Sequence, residues 1–250
     1  PTSLLTIARG SSDHAAHYAA YLVMARLGRL VTSLPMSVIT LHGAALDTEG
    51  LLAVAFSQSG ASTDLVETTR SFAARGALTA AFVNDAASPL AQAAAWPFAL
   101  RAGEETSVAA SKSFIAQLTA GARWVAAWQG DAALAAAIDA LPASLAQALA
   151  AGSTWAELAV PLLVHCERMF VVGRGTGLAI AMEAALKFKE VCGIQAEAFS
   201  GAELRHGPLA LIEPGYPVFV FAPRGPAHAG LLALADDLRA RGAVVLFAGD

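Results

Sequence analysis

The chain has 250 residues, 56% hydrophobic and 14% charged, with a net charge of −4. That length accommodates one large or two ordinary domains, with a core that needs neither disulfides nor a structural metal. The acidic balance excludes a basic nucleic-acid-binding surface, so no nucleic-acid partner is expected and an anionic ligand must be held by local geometry.

Short apolar runs ending in Gly or Ser alternate with alanine-rich stretches that favour helix. Residues 4–8 read as a strand that meets Arg9-Gly10-Ser11-Ser12, and 13–27 as a helix capped by Ser12 or Asp13. Residues 51–56 form a second predicted strand, which runs into Ser57-Gln58-Ser59-Gly60, and 63–75 the next helix. A third strand over 78–83 stops at Asn84-Asp85. Helical pattern then dominates over 114–128 and 132–149. After it the alternation restarts, with strands over 169–173, 216–221 and 244–248 and helices from 178 and over 231–241. This is the signature of an α/β protein whose mostly parallel, doubly wound sheets are flanked by helices.

The segments "TIARGSS" and "VVGRGTG" share one shape: apolar strand, Arg-Gly, small polar residue, helix. Two copies of one unit are therefore expected, a first domain over 1–128 and a second over 161–250, joined by a helical connection over 129–160. Pro1 stands where an initiator Met is absent, and the last residues read as an apolar strand. Both features lead us to expect further segments of the protein outside this sequence, with the second domain truncated at its C-terminus. Cys166 and Cys192 fit no zinc or redox spacing and are expected to be buried free thiols. No basic and apolar leader opens the chain and no uninterrupted apolar run of about 18 residues occurs. No membrane partner is expected, and a reducing cytoplasm is the expected setting.

In open α/β sheets ligands bind beyond the carboxyl ends of the strands, where helix N-termini present free N–H groups to anions. Gly10 and Gly60 allow close backbone approach, and Ser11, Ser12, Ser57, Ser59 and Ser62 add hydroxyl donors. Ser and Gly after a strand are also ordinary turn and N-cap residues; two such loops after strands of one unit favour a phosphate site. Gly173-Arg174-Gly175-Thr176-Gly177 has its third glycine too early for the dinucleotide fingerprint, so no nicotinamide cofactor is expected.

The densest chemistry lies over 183–208. On a helix Lys187 and Glu190 share a face, with Glu183 one turn back. His206 precedes Gly207-Pro208 and is expected to project from a loop, near Glu197 and Glu203. Scarce charges gathered near one His point to a site, although a salt-bridged helix face explains the first three as well.

"SQSG" at 57–60, "ETSVAASKSF" at 105–114, and "EAALKFKE" with "AEAFSGAELRHGPLALI" over 183–212 resemble the isomerase half of glucosamine-6-phosphate synthase, built from two sugar isomerase (SIS) domains. "ARGSSDHAA" and "VNDAASPLA" look closer to SIS-type glucosamine-6-phosphate deaminases. The resemblance implies that Ser11, Ser12, Ser57, Gln58, Ser59 and Ser62 contact the sugar phosphate and that Val108 lines the sugar. It further implies that Glu190 moves a proton between C1 and C2, that His206 opens the ring, and that Lys187 is a further active-site residue. A homodimer with a shared active site follows from it, since His206 reaches the neighbouring subunit's site in the family. The expected activity is deamination of glucosamine 6-phosphate to fructose 6-phosphate and ammonia. The alternatives are the isomerase module of a synthase-like enzyme and a non-catalytic sugar-phosphate sensor. Acid–base chemistry of this kind requires no metal or redox cofactor. Two positions depart from the pattern, Ala61 for an acidic residue and Ala110 for a serine, and no residue matches the family's Schiff-base lysine.

Overall fold

The computed structural model describes residues 1–107 and 109–249, so Val108 lies outside the described residues. In chain order the elements are β1 (Ser3–Ile7), α1 (Ser11–Leu27), β2 (Val31–Ser33), α2 (Ser37–Thr40), β3 (Leu51–Ser57), α3 (Thr63–Ala74), β4 (Leu78–Val83), α4 (Pro89–Ala93) and β5 (Trp96–Ala99). They continue with α5 (Lys112–Gln129), α6 (Ala132–Leu163), β6 (Arg168–Gly173), α7 (Thr176–Cys192), β7 (Gln195–Ser200), β8 (Pro217–Ala222), α8 (His228–Ala240) and β9 (Val244–Gly249). Two 3-10 turns, Glu203–His206 and Pro208–Leu211, separate β7 from β8. Contacts divide the chain into two units, Pro1–Ile138 and Asp139–Asp250.

The first unit holds a five-stranded sheet in the order β2-β1-β3-β4-β5, with every pairing parallel. All seven residues of β3 are buried, because a central strand of a parallel sheet is covered on both faces. Leu52, Val54 and Phe56 pack with Leu4 and Phe82 under α1 and α5, through Ala19, Val23, Ala122 and Val125. Ala53 and Ala55 point the other way and pack with Ile7 and Val83 under α3 and α4, through Leu65, Phe72 and Leu90. That alternation is what makes the unit doubly wound.

The second unit repeats the plan with four parallel strands, β7-β6-β8-β9. One face packs Phe170, Val172, Val218 and Val220 against Leu231, Leu234 and Leu238 of α8. The other packs Met169, Val171 and Phe219 against Ala181 and Ala185 of α7. The internal repeat is visible in backbone angles. Gly10 and Gly175, the N-caps of α1 and α7, have φ and ψ of 55° and −134° and of 63° and −132°. Only glycine enters that region freely, so the two Arg-Gly turns are the same device used twice.

The structure corrects several details. Gly10 starts α1 at Ser11, ahead of the predicted cap at Ser12 or Asp13, and makes no side-chain cap bond. Residues 195–200 form β7, an edge strand whose alternation of buried Ala196 with exposed Glu197 hides it within the acidic stretch. Strand β5 is also an edge strand, which tolerates Pro97. Helix α6 runs on to Leu163. Pro142 in it has no N–H to give to the carbonyl of Ile138, the residue at which the first unit ends. Its stretch Ala132–Gly152 is long and apolar enough to cross a membrane on average, with mean hydropathy 1.5, although Asp139 and Pro142 interrupt it. Cys166 is half-buried but Cys192, the last residue of α7, is exposed.

Candidate functional site

In the order β2-β1-β3-β4-β5 the direction of winding reverses between β1 and β3, and the crevice beyond their carboxyl ends is where such sheets bind ligands. The two strands pair in register, Thr6 with Val54 and Ile7 with Ala55. Both predicted Ser and Gly loops therefore leave the sheet side by side. Gly10 turns the first loop into α1, whose opening residues are the half-buried Ser11 and Ser12. Ser57, the last residue of β3, accepts the Gly60 N–H through Oγ at 3.0 Å. Ser59 Oγ accepts from Ala61 N at 3.3 Å, and the Gln58 carbonyl accepts from Asn84 N at 3.2 Å. Gly60 has φ of 64°, and a Cβ there would meet Ser88 Oγ at 2.1 Å. Ser62 is the exposed N-cap of α3 and its side chain makes no cap bond. Its hydroxyl is thus not consumed by the helix it starts.

Three supports of this crevice escape sequence reading. Arg9 of the first loop pairs with Asp64 in the first turn of α3, so a salt bridge ties the two loops together. Glu105 accepts at Oε2 from Ser113 N at 2.9 Å, Ser113 Oγ at 2.8 Å and Ser111 N at 3.2 Å, which caps α5 from a distance. The backbone bond to Ser113 leads in holding the Glu105 carboxyl below the usual carboxylate range. Gln117 of α5 donates from Nε2 to Ser12 Oγ at 2.9 Å. Each pair is separated in sequence and carries no periodic signal. Glu105 and Ser113 do fall inside one of the motifs singled out above.

In the second unit Lys187 Nζ lies 2.6 Å from Glu190 Oε2 and 3.3 Å from Glu183 Oε1, one cation between two carboxylates on α7. Glu183 is only 6% exposed, whereas Glu190 is about one-third exposed. Burial pulls the Lys187 pKa down, but the hydrogen bond to Glu190 and the Glu183 charge outweigh it and hold the ammonium above the ordinary lysine value. His206 ends the first 3-10 turn rather than standing in an irregular loop, and buried Leu204 anchors that turn. His206 is exposed and lines a cavity of about 480 Å³ with Arg174, Gly201 and Arg205. Among the described residues no hydrogen bond joins it to Lys187 or Glu190. Glu197 on β7 and Glu203 are both exposed. In the Gly173–Gly177 turn the glycines serve packing: a Cβ on Gly173 would meet the Gly177 carbonyl oxygen at 2.2 Å. Among the described residues no group of three or more His, Cys, Asp or Glu is arranged to hold a metal.

Fold and loops together define a two-sheet α/β protein of the doubly wound type. The SIS domain model matches residues 1–127 and 162–247, and the chain belongs to that family. It is 35% identical to the isomerizing glutamine–fructose-6-phosphate aminotransferase of Aeropyrum pernix over 97% of this chain, which spans 40% of that relative's length. A Silicibacter pomeroyi protein of proposed phosphosugar isomerase activity is 44% identical, with a TM-score of 0.91 over 99% of this chain and 75% of the other. Glucosamine-6-phosphate deaminase from Thermotoga maritima shares the fold, with a TM-score of 0.82 over 100% of this chain and 76% of the other, at 21% identity.

Proposed function

We propose that this chain is an aldose–ketose isomerase of a phosphorylated amino sugar that couples isomerisation to deamination, converting glucosamine 6-phosphate and water to fructose 6-phosphate and ammonia. The observation that carries the reading is the pair of Ser and Gly loops, Gly10-Ser11-Ser12 and Ser57-Gln58-Ser59-Gly60 with Ser62, at the β1/β3 switch point. A phosphate held there by hydroxyls and helix N-termini needs no basic surface, which suits a net charge of −4. Binding energy from the phosphate orients the reacting carbons at a distance from it.

In this reading His206 opens the sugar ring and Glu190 carries a proton between C1 and C2. Lys187, bonded to Glu190 at 2.6 Å, keeps that carboxylate oriented between transfers. Deamination consumes one water and releases fructose 6-phosphate and ammonia. A second reading, the isomerase module of an aminating enzyme, is favoured by the 35% identity to an isomerizing aminotransferase. The protein is a homodimer with shared sites in both readings. Leu149, Leu158, Val160 and Val164, each 60% exposed or more in the single chain, support an apolar surface that a second copy covers.

Incubation of the full-length protein with glucosamine 6-phosphate distinguishes the readings. Equal release of ammonia and fructose 6-phosphate is expected for the deaminase. Conversion of fructose 6-phosphate to glucose 6-phosphate without ammonia release from the amino sugar marks the isomerase module. Binding without turnover of either sugar overturns the enzymatic reading and leaves a sensor. Glu190→Gln is expected to lower turnover by at least about 100-fold while binding persists; an unchanged rate removes Glu190 as the base.

A further inference from the structure

We propose that Gln117 is a positioning residue that sets the direction of the Ser12 hydroxyl, so that Ser12 offers its proton, and not a lone pair, to a bound phosphate. This rests on the phosphate reading of the β1 and β3 loops given above.

Gln117 sits on α5 and is 1% exposed. Its Nε2 donates to Ser12 Oγ at 2.9 Å, a bond that spans 105 residues of sequence. Its Oε1 is buried and has no hydrogen-bond partner among the described residues. A Leu or Met at this position fills similar volume and strands no acceptor. The amide is therefore present for its one bond, the bond to Ser12.

The packing holds that bond in place. Gly121, one turn beyond Gln117, lies so close to α1 that a Cβ there would be 3.1 Å from the Ala19 Cβ. At the far end of the helix pair Arg26 Nη1 donates to Gln129 Oε1 at 3.1 Å and to Asp131 Oδ2 at 2.8 Å. The two helices run side by side and are fastened at both ends, which leaves Gln117 little freedom to drift from Ser12.

The chemistry follows from the inventory of a hydroxyl, one O–H donor and two lone pairs. Once the Gln117 amide occupies a lone pair, the Ser12 proton has no reason to point into the α1–α5 interface and is free to donate elsewhere. A phosphate dianion only accepts hydrogen bonds. A hydroxyl that spent its proton inside the protein would present oxygen to oxygen and repel the ligand.

The test is calorimetric binding of fructose 6-phosphate to the full-length protein, with inorganic phosphate and unphosphorylated fructose as comparison ligands and melting curves to confirm folding. Ser12→Ala and Gln117→Leu are each expected to weaken fructose 6-phosphate about ten-fold. The double variant is expected to bind no more weakly than Ser12→Ala alone, because Gln117 acts only through Ser12. Gln117→Glu, which accepts the Ser12 proton, is expected to bind more weakly than Gln117→Leu. Gln117→Met takes the place of the leucine variant if that one melts early. Wild-type affinity in Gln117→Leu, or losses that multiply in the double variant, overturns the positioning role and leaves the phosphate reading intact. If the wild-type protein binds neither fructose 6-phosphate nor phosphate, the phosphate reading falls and the Gln117 assignment falls with it.

Discussion

Replacing Gly60 with alanine tests whether the second loop is built around a glycine that nothing else can replace. Two costs add at this position. The backbone has φ of 64°, and an L-residue held there pays about 1 kcal/mol. The new Cβ would also stand 2.1 Å from Ser88 Oγ and 2.6 Å from Ser88 Cβ. Ser88 is 2% exposed and its Oγ caps α4 by accepting from Ala91 N at 3.3 Å, so it cannot swing aside without uncapping that helix. Gly60 cannot easily retreat either, because its carbonyl accepts from Leu90 N at 3.0 Å. Overpacking against such a contact costs about 1–3 kcal/mol, giving roughly 3 kcal/mol in all. Gly28→Ala is the matched control, since its φ is 63° but no atom lies within 4 Å of the added Cβ; it is expected to lose about 1 kcal/mol. Urea denaturation of the two variants therefore separates the contact from the backbone term. Adding Ser88→Gly to Gly60→Ala removes the obstructing side chain, and glycine at an N-cap costs only a few tenths of a kcal/mol, so about 2 kcal/mol is regained. Equal losses for Gly60→Ala and Gly28→Ala, or no recovery in the double variant, would refute the steric account.

Lys187→Met removes the cation facing buried Glu183 and is expected to cost about 1–3 kcal/mol at pH 7.5 by chemical denaturation. Because folding holds the Lys187 pKa above its ordinary 10.5, the wild-type contribution is complete below that value and disappears as pH rises through the folded one; the difference between the two proteins therefore narrows in strong base. Glu105→Gln is expected to lose less than about 1 kcal/mol at pH 7, in keeping with a largely solvent-screened carboxylate. The depressed Glu105 pKa means this stabilisation is present above the ordinary 4.5 and is lost as pH falls through the folded value, so the two melting curves converge in acid. Asp64→Ala breaks an exposed ion pair and is expected to change stability by no more than about 1 kcal/mol. With Arg9 released beside the first loop, fructose 6-phosphate should bind more tightly and with a steeper salt dependence; titrations at low and high salt check this.

Much of the fold is legible because central strands of parallel sheets advertise themselves. The strands β3, β4, β6 and β8 are near-continuous apolar runs, and each either ends in Ser57 or Gly173 or is followed at once by Asn84 or Pro223. Three of the four edge strands give no such signal, β9 being the one read as an apolar run. Strand β2 has three residues, β5 carries a proline and is exposed throughout, and β7 alternates and includes Glu197. Half-covered strands lack the run of buried side chains that betrays a central one. The serine loops and the Lys187–Glu190 pair were readable for a similar reason, since their members lie within one turn of chain.

What the sequence determined by itself is local: which segments must leave water, where glycine frees the backbone, and which charges share a helix face. Strand order lay beyond it, and so did the crevice between β1 and β3 that strand order creates. The tertiary structure alone joined Arg9 to Asp64 and Ser12 to Gln117, pairs 55 and 105 residues apart. Such contacts are made by helices settling on a sheet, where shape, burial and the need to satisfy polar groups act at once. No period along the chain encodes them.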